Sequence, residues 1–190
     1  MASPQTEIEI QSNISIVLGA GEITDLSSKG AFGVDLQSAY DLLLDAEVGT
    51  NRWRFDAKIQ QLSLVGALAT PFDQWNYEYL LPADYSSLQR IYPYAPFEIF
   101  GKSVYMGSSA TYLAEYYSNN PAVTLWSGPF KAYFVLKVAY YLAVSTAENA
   151  QLAEQIEKRM LRAESDALFA SASSRPNQKL KSRPYLAVRN

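Results

Sequence analysis

The apolar residues of this chain change their spacing twice along the sequence, and this limits the folds that the chain can adopt. In roughly the first fifty residues they recur every three to four positions, as on one face of a helix. From about 53 to 117 they alternate with polar residues, as in half-buried strands. Beyond about 129 the helical spacing returns. Helices at both ends with strands between them predict an α+β protein.

Four helices are predicted, at about 5–18, 34–48, 129–147 and 149–170. In the first, Ile8, Ile10, Ile14 and Leu18 lie on one stripe. The third is apolar on several faces, which indicates burial against the chain's own core or against another subunit. Its candidate core or subunit-contact residues are Phe130, Tyr133, Phe134 and Tyr141.

The central region, about 53–117, is predicted to be a small β-region rich in aromatic residues. Alternation starting at Trp53 predicts a first strand that contains Trp53, Phe55, Ala57 and Ile59 on one face. Further strands are predicted at Trp75, Tyr77 and Tyr79, at 88–92, at 97–106 around a Gly-Lys turn, and at 112–117. We therefore expect an antiparallel helical bundle with this β-region inserted between helix 2 and the long C-terminal helices.

The run Gly19-Ala20-Gly21 after an apolar segment resembles the start of a dinucleotide-binding fingerprint. That fingerprint requires a third small residue, where this chain has Thr24, and a helix that opens at the glycines. Glu22 and Asp25 follow instead, and their charges would repel phosphate. We therefore interpret the glycines as the C-terminal cap of the first helix.

Charge is distributed unevenly. All nineteen acidic residues and eleven of the sixteen basic residues precede position 171, whereas the remaining twenty residues contain five basic residues and no acidic one. Residues 1–170 are predicted to form a single domain and 171–190 an extended basic arm that orders on a partner. The candidate partner-binding residues are Arg175, Pro176, Lys179, Lys181, Arg183 and Tyr185. One alternative function is therefore a small nucleic-acid-binding module in which this arm contacts phosphates and Tyr185 stacks on a base.

The absence of histidine and cysteine removes the commonest metal ligands and general bases. An enzyme would have to use carboxylates such as Asp41, Asp45, Asp73 and Asp84, of which only the first two are grouped, at helical i,i+4 spacing. No cofactor, metal or catalytic residue is predicted. No apolar stretch is long enough to span a membrane, and the N-terminus lacks the pattern of a secretory signal.

The order of segments is more informative than any single motif. A first helix leads into Leu18-Gly19-Ala20-Gly21-Glu22-Ile23-Thr24-Asp25-Leu26, and an amphipathic helix leads into Trp53-Arg54-Phe55. The run from Trp75 to Tyr85, the run from Phe97 to Lys102 and a long helical pair then follow. Over roughly residues 5–180 this order resembles the tail tubular protein A family, the head-to-tail adaptors of short-tailed bacteriophages. The acidic second helix and the Thr50-Asn51-Arg52 run before Trp53 depart from the family pattern.

The resemblance implies a structural virion protein with no enzymatic activity. It implies a ring, dodecameric in the family, that is assembled in the host cytoplasm, lies at the portal vertex and extends the DNA channel without binding DNA specifically. The implied partners are the portal protein, the tail nozzle (tubular protein B) and other copies of the chain, with no membrane. The arm would reach the portal or a neighbouring subunit, and the β-region, with Trp75, Tyr77 and Tyr79, would face the nozzle.

Overall fold

The computed structural model describes residues 6–119, 121–145 and 150–174, in a mixed arrangement of helix and antiparallel sheet. The described helices are α1 (Glu7–Val17), α2 (Ala31–Thr50), α3 (Gly128–Ser145) and α4 (Ala150–Ser173). The described strands are β1 (Ala57–Gln61), β2 (Ser63–Phe72), β3 (Trp75–Leu80), β4 (Tyr85–Tyr92), β5 (Phe97–Phe100), β6 (Ser103–Met106) and β7 (Leu113–Ser118). Short 3₁₀ turns lie at Leu26–Lys29, Arg54–Asp56 and Val123–Leu125.

The glycines after α1 end the helix, as the sequence predicts. Gly19 has a φ of 77°, which a residue with a side chain adopts only at a cost. Its N–H donates to the carbonyl of Ile16 at 3.0 Å, and the N–H of Ala20 donates to the carbonyl of Ser15 at 2.9 Å. These two bonds form the Schellman motif that satisfies the last carbonyls of a helix. The segment is therefore a helix stop, and no helix begins at it.

The four helices share one apolar cluster, which we call the helical cluster. Ile10 and Ile14 of α1 and Leu36 of α2 are fully buried in it. The centre of the cluster is α3, which contacts the other three helices. Because α3 is apolar on several faces, it buries side chains around most of its circumference. In contrast, α4 buries a single stripe through Ala153, Ile156 and Ala167.

The strands form two antiparallel sheets that bury a second cluster, the sheet cluster. The three-stranded sheet has the order β1-β7-β4, and the four-stranded sheet has the order β2-β3-β6-β5. Tyr79, Val104 and Met106 of the second sheet share this cluster with Ala114 and Tyr116 of the first. The hairpin between β5 and β6 turns at Gly101, whose φ is 60°, so the predicted Gly-Lys turn is confirmed.

The first predicted strand is wrong at its start. Trp53 is buried in the helical cluster, Arg54–Asp56 form a 3₁₀ turn, and β1 begins only at Ala57. Ile59, predicted to face inward, is 64% exposed. The alternation from Trp53 to Ile59 therefore leaves the helical cluster, because Trp53 and Phe55 pack on the helices while Ile59 is exposed on an edge strand.

The chain enters and leaves the sheets at neighbouring positions. Ala57, the first residue of β1, pairs with Tyr117 near the end of β7. Beside this point the backbone N–H of Arg54 donates to the hydroxyl of Ser171 on α4 at 3.0 Å, and the Arg54 side chain lies 3.3 Å from Glu115 of β7. Arg54 thus joins the last turns of α4 to the three-stranded sheet.

Candidate interaction surfaces

The structure places most of the predicted α3 residues in the chain's own core. Phe130, Tyr133 and Phe134 are at most 2% exposed and belong to the helical cluster. Tyr141 is different, because 43% of its surface is exposed. Of the two environments left open by the sequence, the first three residues occupy the core and Tyr141 is available to a partner.

The predicted aromatic residues of β3 point largely away from solvent. Trp75 and Tyr79 are buried and Tyr77 is half-buried. The Tyr79 hydroxyl lies 2.8 Å from the carbonyl of Ala110, and the Trp75 indole N–H donates to Glu98 at 2.8 Å. The predicted partner-binding residues of the arm, Arg175, Pro176, Lys179, Lys181, Arg183 and Tyr185, lie outside the described residues.

A different group of aromatic residues is exposed on the four-stranded sheet. Phe72, Phe100 and Tyr105 form what we call the aromatic patch, with ring centroids 5.3 to 6.1 Å apart. Phe72 is 39% exposed and Phe100 52% exposed. Phe100 and Tyr105 lie on the hairpin of β5 and β6, and the strand order brings Phe72 of β2 to them. Sequence spacing gives no signal that Phe72 joins this pair.

Strand β2 adds to this surface. It is an edge of the four-stranded sheet, and no residue from Ser63 to Phe72 is charged. Leu64 is 50% exposed and Val65 56% exposed. Charged residues, which protect many edge strands, are absent from β2, so its exposed apolar residues are available to a partner.

The outer side of α2 is acidic, and we call it the acidic face. Val34, Ser38, Asp41, Leu42 and Asp45 recur along it at the spacing of one helical stripe. All five are exposed, Val34 by 67% and Leu42 by 57%. Asp35, next to Val34, lines a cavity of about 390 Å³ between α2 and α3 together with Leu42 and Tyr141. The segment Ala31–Thr50 contains no lysine or arginine.

A groove of opposite charge lies between α1, α3 and α4, and we call it the basic groove. Its volume is about 360 Å³. Its lining residues are Ile10, Asn13 and Val17 of α1, Gly128, Lys131, Ala132, Val135 and Leu136 of α3, and Arg159 of α4. Among the described residues, no carboxylate lies within salt-bridge distance of Lys131 or Arg159. The groove therefore combines an apolar floor with two unneutralised cations.

The carboxylates that an enzyme would need are spread over the fold. Asp41 and Asp45 are exposed on α2, and Asp73 lies in the turn between β2 and β3. Asp84 accepts hydrogen bonds from Lys58 at 2.6 Å and from the Tyr116 hydroxyl at 2.9 Å. Within the described ranges, no group of three or more potential ligand side chains could hold a metal ion.

Two buried carboxylates, Glu47 and Asp56, escaped the sequence analysis. Asp56 is 3% exposed and accepts a hydrogen bond from the hydroxyl of Ser118, at the junction of the 3₁₀ turn and β7. Burial raises the pKa of the Asp56 carboxyl above its ordinary value of 3.8, against the opposing effects of Ser118 and Lys58. The hydrogen bond from Lys58 lowers the pKa of Asp84 below 3.8. Burial, together with Asp84, raises the pKa of Tyr116 to about 12.

These opposite pKa shifts predict opposite contributions to stability. Because the folded state binds the Asp56 proton more tightly than the unfolded state does, ionised Asp56 lowers stability as pH rises from 3.8 through its raised pKa. We expect Asp56→Asn to be more stable than wild type near neutral pH, and the difference to shrink as pH falls toward 3.8. Urea unfolding at a series of pH values measures it.

The matched control is Asp84→Asn. The paired Asp84 contributes stability above its unfolded pKa, and this is lost as pH falls through its lowered folded pKa. This variant should therefore be less stable than wild type at neutral pH and approach it in acid. Equal pH profiles for Asp56→Asn and wild type would contradict the assignment.

The sequence matches no protein-family model, and no curated protein is significantly similar to it. None of the described helices combines the length and the apolar content needed to cross a membrane.

Proposed function

We propose that this chain is a structural virion protein, a head-to-tail adaptor that assembles with its own copies into a ring between a phage portal and the tail nozzle. The observation that carries the proposal is the amount of apolar surface exposed on both halves of the fold. Phe72 and Phe100 on the sheet, and Leu42 and Tyr141 on the helices, are all between 39% and 57% exposed. Exposed aromatic side chains in groups are typical of surfaces that partners bury.

The helices and the sheets would have different roles in the ring. In the proposed arrangement the helices act as a bundle with the strands inserted in it, and they form the wall of the ring. The aromatic patch and the uncharged edge of β2 supply the docking surface for the nozzle. The acidic excess before residue 171, nineteen acidic against eleven basic residues, suits a channel through which DNA slides without binding.

The experiment that tests this proposal is a measurement of mass by light scattering. The purified chain is measured alone and then mixed with the portal protein encoded by the same genome. We expect a fixed multiple of the chain on each portal, and loss of that complex when the chain is cut after Ser174. The double variant Phe72→Ser/Phe100→Ser should still join the portal but no longer bind the nozzle protein.

A chain that remains monomeric both alone and with the portal protein would contradict the adaptor function. If, in addition, the segment 175–190 bound DNA at physiological salt, the nucleic-acid-binding alternative would replace it, because purely electrostatic binding weakens steeply as salt rises. Phe169→Ser is the control for loss of an exposed phenylalanine outside the sheets, since Phe169 is 75% exposed on α4.

A further inference from the structure

The two charged surfaces of the helical half differ in what they can accept. The floor of the basic groove includes Ile10, Val135 and Leu136, which are at most 8% exposed, and its rim holds Lys131 and Arg159. The nearest acidic side chain along α1, Glu9, lies one turn before Asn13. The Glu9 carboxylate accepts a hydrogen bond from the backbone N–H of Thr6 at 2.8 Å. The groove therefore suits an apolar surface flanked by carboxylates.

The acidic face of α2 has this chemistry. Val34 and Leu42 project from it as exposed apolar side chains, with Asp41 and Asp45 beside them. The fourth acid of this helix, Glu47, is buried and bonded to Lys137, so it does not add to the surface charge. No cation on α2 opposes these carboxylates.

We propose that the acidic face of one copy docks in the basic groove of the next copy. This inference rests on the proposed ring function and identifies the surfaces through which neighbouring copies would bind. Charge complementarity selects this pairing, since two acidic faces repel each other and so do two basic grooves. The two surfaces share no residue, so each copy can use both at once. A contact between unlike surfaces is head-to-tail. Such contacts close into a ring when the rotation that relates neighbouring copies is a whole-number fraction of a full turn.

Disulfide cross-linking tests the interface directly, because the natural chain contains no cysteine. Ser38 on the acidic face and Ala132 in the basic groove are both exposed and small. We expect the double variant Ser38→Cys/Ala132→Cys to form a ladder of covalent multimers on oxidation, with and without the portal protein. Each single variant should give no ladder, while an equimolar mixture of the two should give covalent dimers.

The matched control is Thr111→Cys/Ala132→Cys, which moves one cysteine to an exposed position next to the sheets and should give no ladder. Charge reversal provides a second readout. Lys131→Glu/Arg159→Glu should weaken self-association by about tenfold or more, and mixing it with Asp41→Lys/Asp45→Lys should restore binding between the two variants.

The possible outcomes distinguish failure of the proposed interface from failure of the proposed adaptor function. Multimers of the expected mass that give no ladder through positions 38 and 132, and no loss on charge reversal, would overturn the interface and leave the adaptor function standing. A wild-type chain that is monomeric alone and with the portal protein would overturn both. A ladder specific to the double variant, together with restored binding between the reversed variants, would establish the interface.

Discussion

Phe130→Ala is expected to lower the free energy of unfolding by about 3–5 kcal/mol, the usual cost of removing a fully buried aromatic side chain. Phe130 has no exposed surface. Its ring centroid lies 4.7 Å from that of Trp53, 4.8 Å from that of Phe55 and 5.0 Å from that of Trp126. The cavity would lie where α3 meets the 3₁₀ turn before β1, and collapse around it is limited by the three large rings that surround Phe130.

Urea unfolding at a fixed low protein concentration measures the loss, since self-association would otherwise add to the apparent stability. Phe169→Ala is the control, because the same atoms are removed from a side chain that is 75% exposed. It should change stability by no more than about 0.5 kcal/mol. A loss below about 1 kcal/mol for Phe130→Ala would contradict the packing described for the helical cluster.

Glu47→Ala is expected to lower the free energy of unfolding by about 2–3 kcal/mol, for an electrostatic reason. The Glu47 side chain is 3% exposed, and its carboxylate accepts hydrogen bonds from the Tyr133 hydroxyl at 2.8 Å and from Asn51 at 2.8 Å, and is bonded to Lys137. Removing the carboxylate leaves the Lys137 ammonium, which is 26% exposed, without its counter-charge, and the Tyr133 hydroxyl without its acceptor.

A double variant distinguishes the effect of losing the Glu47–Lys137 ion pair from the effect of losing packing contacts. In Glu47→Ala/Lys137→Met both charges are gone, so stability should recover part of the loss of the single variant. Asp45→Ala removes an exposed carboxylate two positions earlier on the same helix and should be nearly neutral. If the double variant were as unstable as the sum of its two single variants, Glu47 and Lys137 would not be energetically coupled.

The elements of this fold that depend on local chemistry could be predicted from the sequence. The stop after α1 follows from a glycine in the left-handed region, and the turn at Gly101 follows from the same property. The alternation in β3 is also correct, because Trp75 and Tyr79 are buried while Asn76 between them is exposed. Each of these features is decided within a few residues.

The features that the sequence did not reveal depend on distant pairing. Alternation cannot distinguish burial of Trp53 against helices from burial of Ile59 against a sheet, and only the first occurs. The aromatic patch requires Phe72 and Phe100 to meet across the order β2-β3-β6-β5, which no local pattern encodes. The basic groove joins Lys131 to Arg159, whose proximity depends on how α3 and α4 pack.

The pairing of Ala57 with Tyr117 has a consequence for how such a chain can change over time. Because the backbone enters the sheets and leaves them at adjacent positions, the segment of about sixty residues between these points is attached to the rest of the molecule by two ends that lie side by side. Hairpins there can lengthen, shorten or acquire new tips while α2 and α3 keep their places. The surface of the two sheets is thus open to divergence without a matching change in the residues that hold the helices together.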